Sequence, residues 1–139
     1  QAVGLRMIRA KKPGSIINVG SIYGMVSPVQ DIYAYKQELT GPPFIKPVAY
    51  SAAKSGIYNL TRYLAAFYAP RGVRVNAISP GGYFSNQPQE FVDNYCRHTP
   101  LGRMAGEEDI KGVALFLASE ASAYITGANI PLEGGWTAW

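Results

Sequence analysis

The stretch Tyr50-Ser51-Ala52-Ala53-Lys54 opens a long helical pattern that runs from about Val48 to Ala69 and stops at Pro70-Arg71-Gly72. Tyr50, Lys54, Ile57, Thr61 and Leu64 fall on one stripe of it, and Ala49, Ala53, Gly56, Leu60 and Phe67 on another. Two such faces predict a helix buried on both sides, with small residues that let a neighbouring element come close. Short runs of apolar, branched residues flank it. Ser15 to Gly20 comes before it and Val73 to Ile78 after it, each with the look of a buried strand. Working outward, an opening helix reaches about Ala10 and ends before Pro13-Gly14. Pro88 to Cys96 suggests a short helix with Phe91, Val92 and Tyr95 on one side. Glu107, Glu108 and Asp109 begin another, where acidic charge favours the helix dipole. A last strand is expected near Asn129 to Leu132, ended by Gly134-Gly135. The order helix, strand, helix, strand, helix, strand predicts a parallel sheet with right-handed crossovers.

The connections matter as much as the elements. Ser21 follows the first strand at its carboxyl end, where open α/β sheets place their chemistry. Ser79-Pro80-Gly81-Gly82 is expected to break the second strand sharply. Residues 22–46 carry no sustained period, so they form a functional loop or hold a short helix. Tyr23, Tyr33 and Tyr35 in that segment either line a substrate pocket or pack the loop onto the body. Trp136 and Trp139 leave an aromatic tail.

Composition narrows the class. The chain has 139 residues, enough for one domain, and 47% of them are apolar, so it can bury a core. The net charge of +4 comes from scattered basic residues, with only Arg9, Lys11 and Lys12 close together, so no nucleic-acid stripe is expected. Cys96 is the single cysteine, which excludes an internal disulfide and a cysteine-based metal site and suits a reducing, cytoplasmic setting. No apolar run approaches membrane-spanning length. His98 is the one histidine and is expected to be a structural or surface residue rather than part of a metal site or triad.

Tyr50 and Lys54 stand four apart, so their side chains share one helix face. An ammonium beside a phenol favours the phenolate, which suits general acid-base work. In this setting the motifs Ile17-Asn18-Val19-Gly20-Ser21, Tyr50 to Lys54, and Val73 to Gly81 occur in order. Pro100-Leu101-Gly102-Arg103 follows with Glu108-Asp109-Ile110, and then Ile125-Thr126-Gly127 through Glu133-Gly134-Gly135. On these motifs the chain resembles the C-terminal part of a classical short-chain dehydrogenase/reductase. The resemblance implies the later half of a Rossmann-type doubly wound parallel sheet, three strands with flanking helices. It also implies interconversion of a carbonyl and an alcohol with NAD or NADP. Tyr50 then resembles the general acid in reduction and the base in oxidation. Lys54 resembles the residue that favours the phenolate and bonds the nicotinamide ribose, and Ser21 the hydroxyl that holds the substrate oxygen. Pro80, Gly81 and Gly82 resemble the turn beside the nicotinamide, and Ser85 the residue that bonds its carboxamide. Asn76 resembles a structural strand residue. The resemblance implies no metal and assembly as a homodimer or homotetramer.

The chain departs from the family pattern in places. It has no glycine-rich dinucleotide loop at a strand-to-helix junction, so the N-terminal cofactor-binding half is expected to lie outside it. Residues 1–139 then form a partial Rossmann-fold oxidoreductase domain whose first strand leaves an edge unpaired. Ser21 and Tyr50 are 29 positions apart (50 minus 21), farther than is usual, and the extra residues form a substrate-side insertion over 22–46. Its tyrosines suggest a sugar-like or polyhydroxylated substrate. The alternatives are a 3-oxoacyl-thioester reductase and, from another class, a non-catalytic fragment or assembly module.

Overall fold

The computed structural model describes residues 2–139, with the backbone alone at 38–40. Three strands form one parallel sheet in the order β1-β2-β3: β1 is Gly14–Val19, β2 Val73–Pro80 and β3 Asn129–Leu132. Among the described residues there are five α-helices, α1 Ala2–Arg9, α2 Tyr35–Thr40, α3 Val48–Tyr68, α4 Gln89–Arg97 and α5 Glu107–Ala118, of which α1, α3 and α5 pack on the sheet. The register pairs Ile17 with Asn76 and Ile78 with Ile130, so all three strands end on the same side. This is the parallel sheet with flanking helices that the alternating pattern predicts.

Strand alternation sends neighbouring side chains to opposite faces. Ile16 packs with Val73, Val75, Ala65 and Tyr68 on the α1 and α3 face. Asn18 on that same face donates its Nδ2 to Thr61 Oγ1 of α3 at 2.9 Å. On the opposite face Ser15 Oγ donates to the Leu117 carbonyl of α5 at 2.7 Å. Arg74 reaches Ser122 Oγ and the Ser119 carbonyl there, at 3.0 and 3.1 Å. Helices therefore cover both faces, and Val73, Val75 and Leu117 are completely buried. Each such side chain stabilises the fold by about 1.5–3 kcal/mol relative to exposure. Asn76 is a structural residue: its Nδ2 donates to the Ile125 carbonyl and its Oδ1 accepts from the Ala128 N–H, at 2.9 and 3.0 Å. It thus holds the turn that leads into β3.

The element ends follow local chemistry. After α3 a single 3-10 turn leads to Gly72, whose φ of 74° takes the left-handed conformation that stops the helix. At the start of α5, Asp109 Oδ2 accepts the Gly106 N–H at 2.7 Å. The same carboxylate takes both guanidinium nitrogens of Arg103 at 2.7 Å. That pairing holds the Asp109 carboxyl well below the usual range.

Three expectations need correction. The α3 helix is buried along one face only: Thr61, Ala65 and Tyr68 pack on the sheet, whereas Ala49, Ala53, Gly56, Leu60 and Phe67 are exposed. Apolar periodicity cannot tell a face covered by this chain from one left for something else. The second strand is not broken at Ser79; it runs through Pro80, because Ser79 and Pro80 still pair with Pro131 and Leu132. Proline fits there because its missing N–H lies in the last ladder position. Trp136 is not part of an open tail: it is buried and stacks on Tyr95, with ring centres 4.4 Å apart. Trp139 alone is exposed. Among the described residues β1 pairs with β2 only, so its other edge is open and Val19 at its end is 57% exposed.

Candidate active site

The described part of the 22–46 segment carries secondary structure and contributes buried side chains to the core. Two 3-10 turns, Ile22–Gly24 and Gln30–Tyr33, precede α2. Ile22, Tyr23, Ile32, Tyr33 and Tyr35 are buried and pack against Phe91, Tyr95 and Trp136 in a second, aromatic core. Tyr33 and Tyr35 both lie against Phe91, with ring centres 5.5 and 6.0 Å away. The two readings of these tyrosines are thus partly reconciled. Tyr33 packs the segment and also lines a cleft, whereas Tyr35 only packs.

That cleft lies at the carboxyl ends of β1 and β2 and encloses about 120 Å³. Ser21, Tyr50, Gly81 and Gly82 line it together. Two larger hollows, of about 640 and 480 Å³, flank it, but neither is lined by Ser21 or Tyr50. Residue chemistry rather than volume singles out the small one.

A close approach brings the two halves of the site together. The turn after Ser21 lies so near α3 that a Cβ on Gly24 would stand 2.6 Å from the Lys54 carbonyl carbon. Ser55 Oγ donates to the Gly24 carbonyl at 2.6 Å and locks this contact. The length of the intervening segment therefore does not separate Ser21 from the first turns of α3. Ser21 caps the turn: its Oγ accepts the Tyr23 N–H at 3.2 Å, which leaves its own proton for another acceptor. The Tyr58 hydroxyl donates to the Ser21 carbonyl and is hydrogen-bonded to Ser79 Oγ at 3.0 Å. The single Ser79 proton serves either Tyr58 Oη or Asn129 Oδ1, the latter 2.6 Å away. One chain of polar groups thus ties Ser21 to α3, β2 and β3.

Tyr50 stands on the first turn of α3 and is 38% exposed, and its hydroxyl has no hydrogen-bond partner among the described residues. Lys54 lies one turn on, with Nζ 5.8 Å from the centre of the Tyr50 ring. It donates to the Val19 carbonyl at 3.0 Å, at the open end of β1. Gly81 and Gly82 sit under Tyr95, whose hydroxyl accepts the Gly82 N–H; a Cβ on Gly82 would come within 2.6 Å of the Tyr95 ring. Pro80 and Ser85 do not line the cleft. Ser85 lies in the exposed turn beyond it, with its N–H donating to Gln87 Oε1 at 2.7 Å.

Burial pushes the Tyr95 phenol up to about 12 despite the Gly82 N–H, which acts the other way. It pushes the Tyr23 phenol up as well, and the hydrogen bond with Tyr33 adds to the rise. Both rings are therefore neutral donors in the cleft wall at ordinary pH. Tyr23 is one of the tyrosines that the sequence offered for a pocket wall, whereas the places of Tyr95, Lys46 and Gln87 in that wall, and of Tyr58 against the Ser21 carbonyl, were not singled out from the sequence. Tyr58 carried a weak signal in its place two turns beyond Tyr50, and Lys46 carried none. His98 is exposed with its ring 5.4 Å from that of Trp136, and Cys96 packs at the edge of the aromatic core. Among the described residues no group of His, Cys, Asp and Glu side chains could hold a metal ion, and no helix is long and apolar enough to cross a membrane.

Comparison with known proteins adds the context. Residues 2–137 match the family described as enoyl-(acyl carrier protein) reductase. The chain is 36% identical to galactitol 2-dehydrogenase (L-tagatose-forming) of Cereibacter sphaeroides, over 100% of its own length and 51% of that protein. It is similar to the crystal structure of a short-chain dehydrogenase from Leptospira borgpetersenii with bound NAD+, with a TM-score of 0.85 and 42% identity over 96% of this chain and 48% of that one. A gluconate 5-dehydrogenase from Burkholderia cenocepacia, in complex with NADP and tartrate, matches with a TM-score of 0.80 and 30% identity over 100% of this chain and 50% of that one. The chain spans about half the length of each of these proteins.

Proposed function

Because the chain belongs to the short-chain dehydrogenase/reductase family, we propose that the whole protein is an NAD- or NADP-dependent oxidoreductase acting on a sugar-like or polyhydroxylated substrate. The observation that carries this reading is the shared cleft of Ser21 and Tyr50, with Lys54 one turn behind. Ser21 keeps an O–H to donate, and the Tyr50 hydroxyl has no partner among the described residues, on a residue that is partly exposed. Two such donors can converge on a carbonyl oxygen and stabilise the charge that grows there during reduction. Tyr50 then delivers its proton to that oxygen, and in the reverse direction takes it back. Lys54 stands one turn behind, with its ammonium 5.8 Å from the centre of the Tyr50 ring.

The donor set fits a nicotinamide cofactor. Lys54 commits one N–H to Val19 and keeps two for ribose hydroxyls, and the Ser85 hydroxyl is exposed where a carboxamide could be met. Pro80, Gly81 and Gly82 supply a turn without side-chain bulk between them. When bound, the cofactor supplies or accepts the hydride, which no side chain of the chain can do. A polyhydroxylated substrate suits a wall rich in phenols and hydroxyls, and the likeness to a galactitol and a gluconate dehydrogenase favours the same class. The exposed face of α3, with Leu60, Tyr63 and Phe67, supports assembly as a homodimer or homotetramer. The lone cysteine suits the reducing cytoplasm.

The test is an assay of the whole protein with NADH and NADPH against ketoses, keto-aldonates and 3-oxoacyl thioesters. Oxidation of reduced cofactor with the hydroxylated ketones, well above that with the thioesters, is expected. Turnover of thioesters alone would shift the reading to the acyl reductases. A whole protein that turns over none of them would overturn it.

A further inference from the structure

Lys46, the last residue of the 22–46 segment, is the one charged side chain among the described residues on the wall of the cleft that holds Ser21 and Tyr50. Its Nζ lies 4.7 Å from the centre of the Tyr50 ring and 5.8 Å from that of Tyr33. Lys54, at 5.8 Å, is the more distant cation from Tyr50. The position of Lys46 is built in. Its N–H donates to Gln30 Oε1 at 2.9 Å, and the next residue, Pro47, caps α3 with φ −60°. Its backbone is thus anchored to the insertion on one side and to the Tyr50 helix on the other.

The charge of Lys46 is uncompensated. The ion pairs among the described residues join Arg103 to Asp109, and Lys111 to Glu107 and Glu108; none involves Lys46. Among the described residues no aspartate or glutamate lines the cleft. The buried phenols of Tyr23 and Tyr95 stay protonated, since burial raises both. The cleft therefore presents one positive charge among neutral hydroxyl donors. A cation resting against aromatic faces is held weakly, whereas a charge-assisted hydrogen bond to an anionic oxygen is the stronger interaction. An anionic group entering the cleft would draw the ammonium away from the rings.

We propose that Lys46 binds a carboxylate on the substrate, remote from the reacting carbon, so that this site selects hydroxy acids over neutral polyols. The inference rests on the oxidoreductase reading above and deepens it. Lys46 then fixes one end of the substrate while Ser21 and Tyr50 hold the oxygen that reacts. The insertion is the element that supplies this selectivity, because it ends on Lys46 and orders it through Gln30.

The test uses the whole protein and any ketone that it turns over in the assay above. D-Gluconate and D-glucitol, a matched acid and alditol, are compared as substrates or as competitive inhibitors. Each is measured in the wild type and in Lys46→Met, Lys46→Gln and Lys46→Arg. The wild type is expected to favour the acid at least ~10-fold in kcat/KM or Ki, a ratio worth about 1.4 kcal/mol. Lys46→Met and Lys46→Gln should each cut that acid-to-alditol ratio at least ~10-fold, acting on KM, and Lys46→Arg should keep most of it. An equal loss for both compounds, with a common shift in the pH profile of kcat, would make Lys46 a tuner of Tyr50 and overturn the proposal. So would a wild type that binds acid and alditol alike. Either result leaves the oxidoreductase reading standing, whereas absence of all turnover removes that reading itself.

Discussion

The molecule has two cores built on different principles. The sheet core, around Val73, Val75, Ala65 and Tyr68, is contributed mainly by regular elements. The cleft-side core, around Ile32, Tyr33, Phe91, Tyr95 and Trp136, draws heavily on 3-10 turns, a short helix and the residues after β3. The first is held by backbone ladders as well as by burial. The second depends more on ring packing, with centres 4.4 to 6.0 Å apart, and on a few hydroxyl bonds. The difference teaches that this fold separates its tasks. The sheet core carries the scaffold, and the aromatic core shapes the cleft wall.

The largest expected effect tests that separation at the reacting group. In the whole protein, Tyr50→Phe is expected to lower turnover by at least ~100-fold, the lower range for general acid-base catalysis. Its thermal midpoint should stay put, because the hydroxyl bonds nothing among the described residues and Tyr50 is 38% exposed. Steady-state kinetics and calorimetry on one preparation measure both. Near-wild-type turnover would end the proposed role of Tyr50.

A pair of truncations compares the cores directly. Ile32 is 1% exposed in the aromatic core, and Leu117 is fully buried under the sheet. Ile32→Ala and Leu117→Ala are each expected to cost ~2–5 kcal/mol in urea unfolding of the whole protein. Ile32→Ala should also raise KM several-fold below the transition, because Tyr33 beside it lines the cleft, while Leu117→Ala should leave KM alone. If both variants change KM equally, the two cores do not divide the tasks.

The smallest effect belongs to the tether between them. Tyr58→Phe removes the hydroxyl that donates to the Ser21 carbonyl and meets Ser79. A loss of ~1 kcal/mol in stability is expected, the net worth of a typical hydrogen bond. A several-fold drop in kcat with little change in cofactor affinity should accompany it, since Ser21 would be less well placed. A drop in stability with kcat intact would make Tyr58 structural only.

Much of the scaffold was legible because it is periodic. Branched runs marked β1 and β2, Pro70-Arg71-Gly72 marked the end of α3, and the acidic triplet marked the start of α5. Tyr50 and Lys54 could be placed on one face because four residues is about one helical turn. The covered and open faces of α3 could not be separated, since both are apolar or small and only packing distinguishes them. Pro80 looked like a break, yet it sits at the end of a ladder where no N–H is required.

From sequence alone came the alternation of strands and helices, the parallel sheet, and the family resemblance with its serine, tyrosine and lysine. These depend on local spacing and residue type, which are readable along one dimension. Tertiary structure decided that Ile22, Tyr23, Ile32, Tyr33 and Tyr35 join an aromatic core, that Tyr33 faces the cleft while Tyr35 does not, and that Trp136 is buried against Tyr95. It also set Lys46 over the Tyr50 ring and Tyr58 beneath Ser21. Those contacts join residues far apart or in irregular segments. No repeat announces them, and they arise only when the chain closes on itself and ring shape, hydrogen-bond reach and burial select the partners.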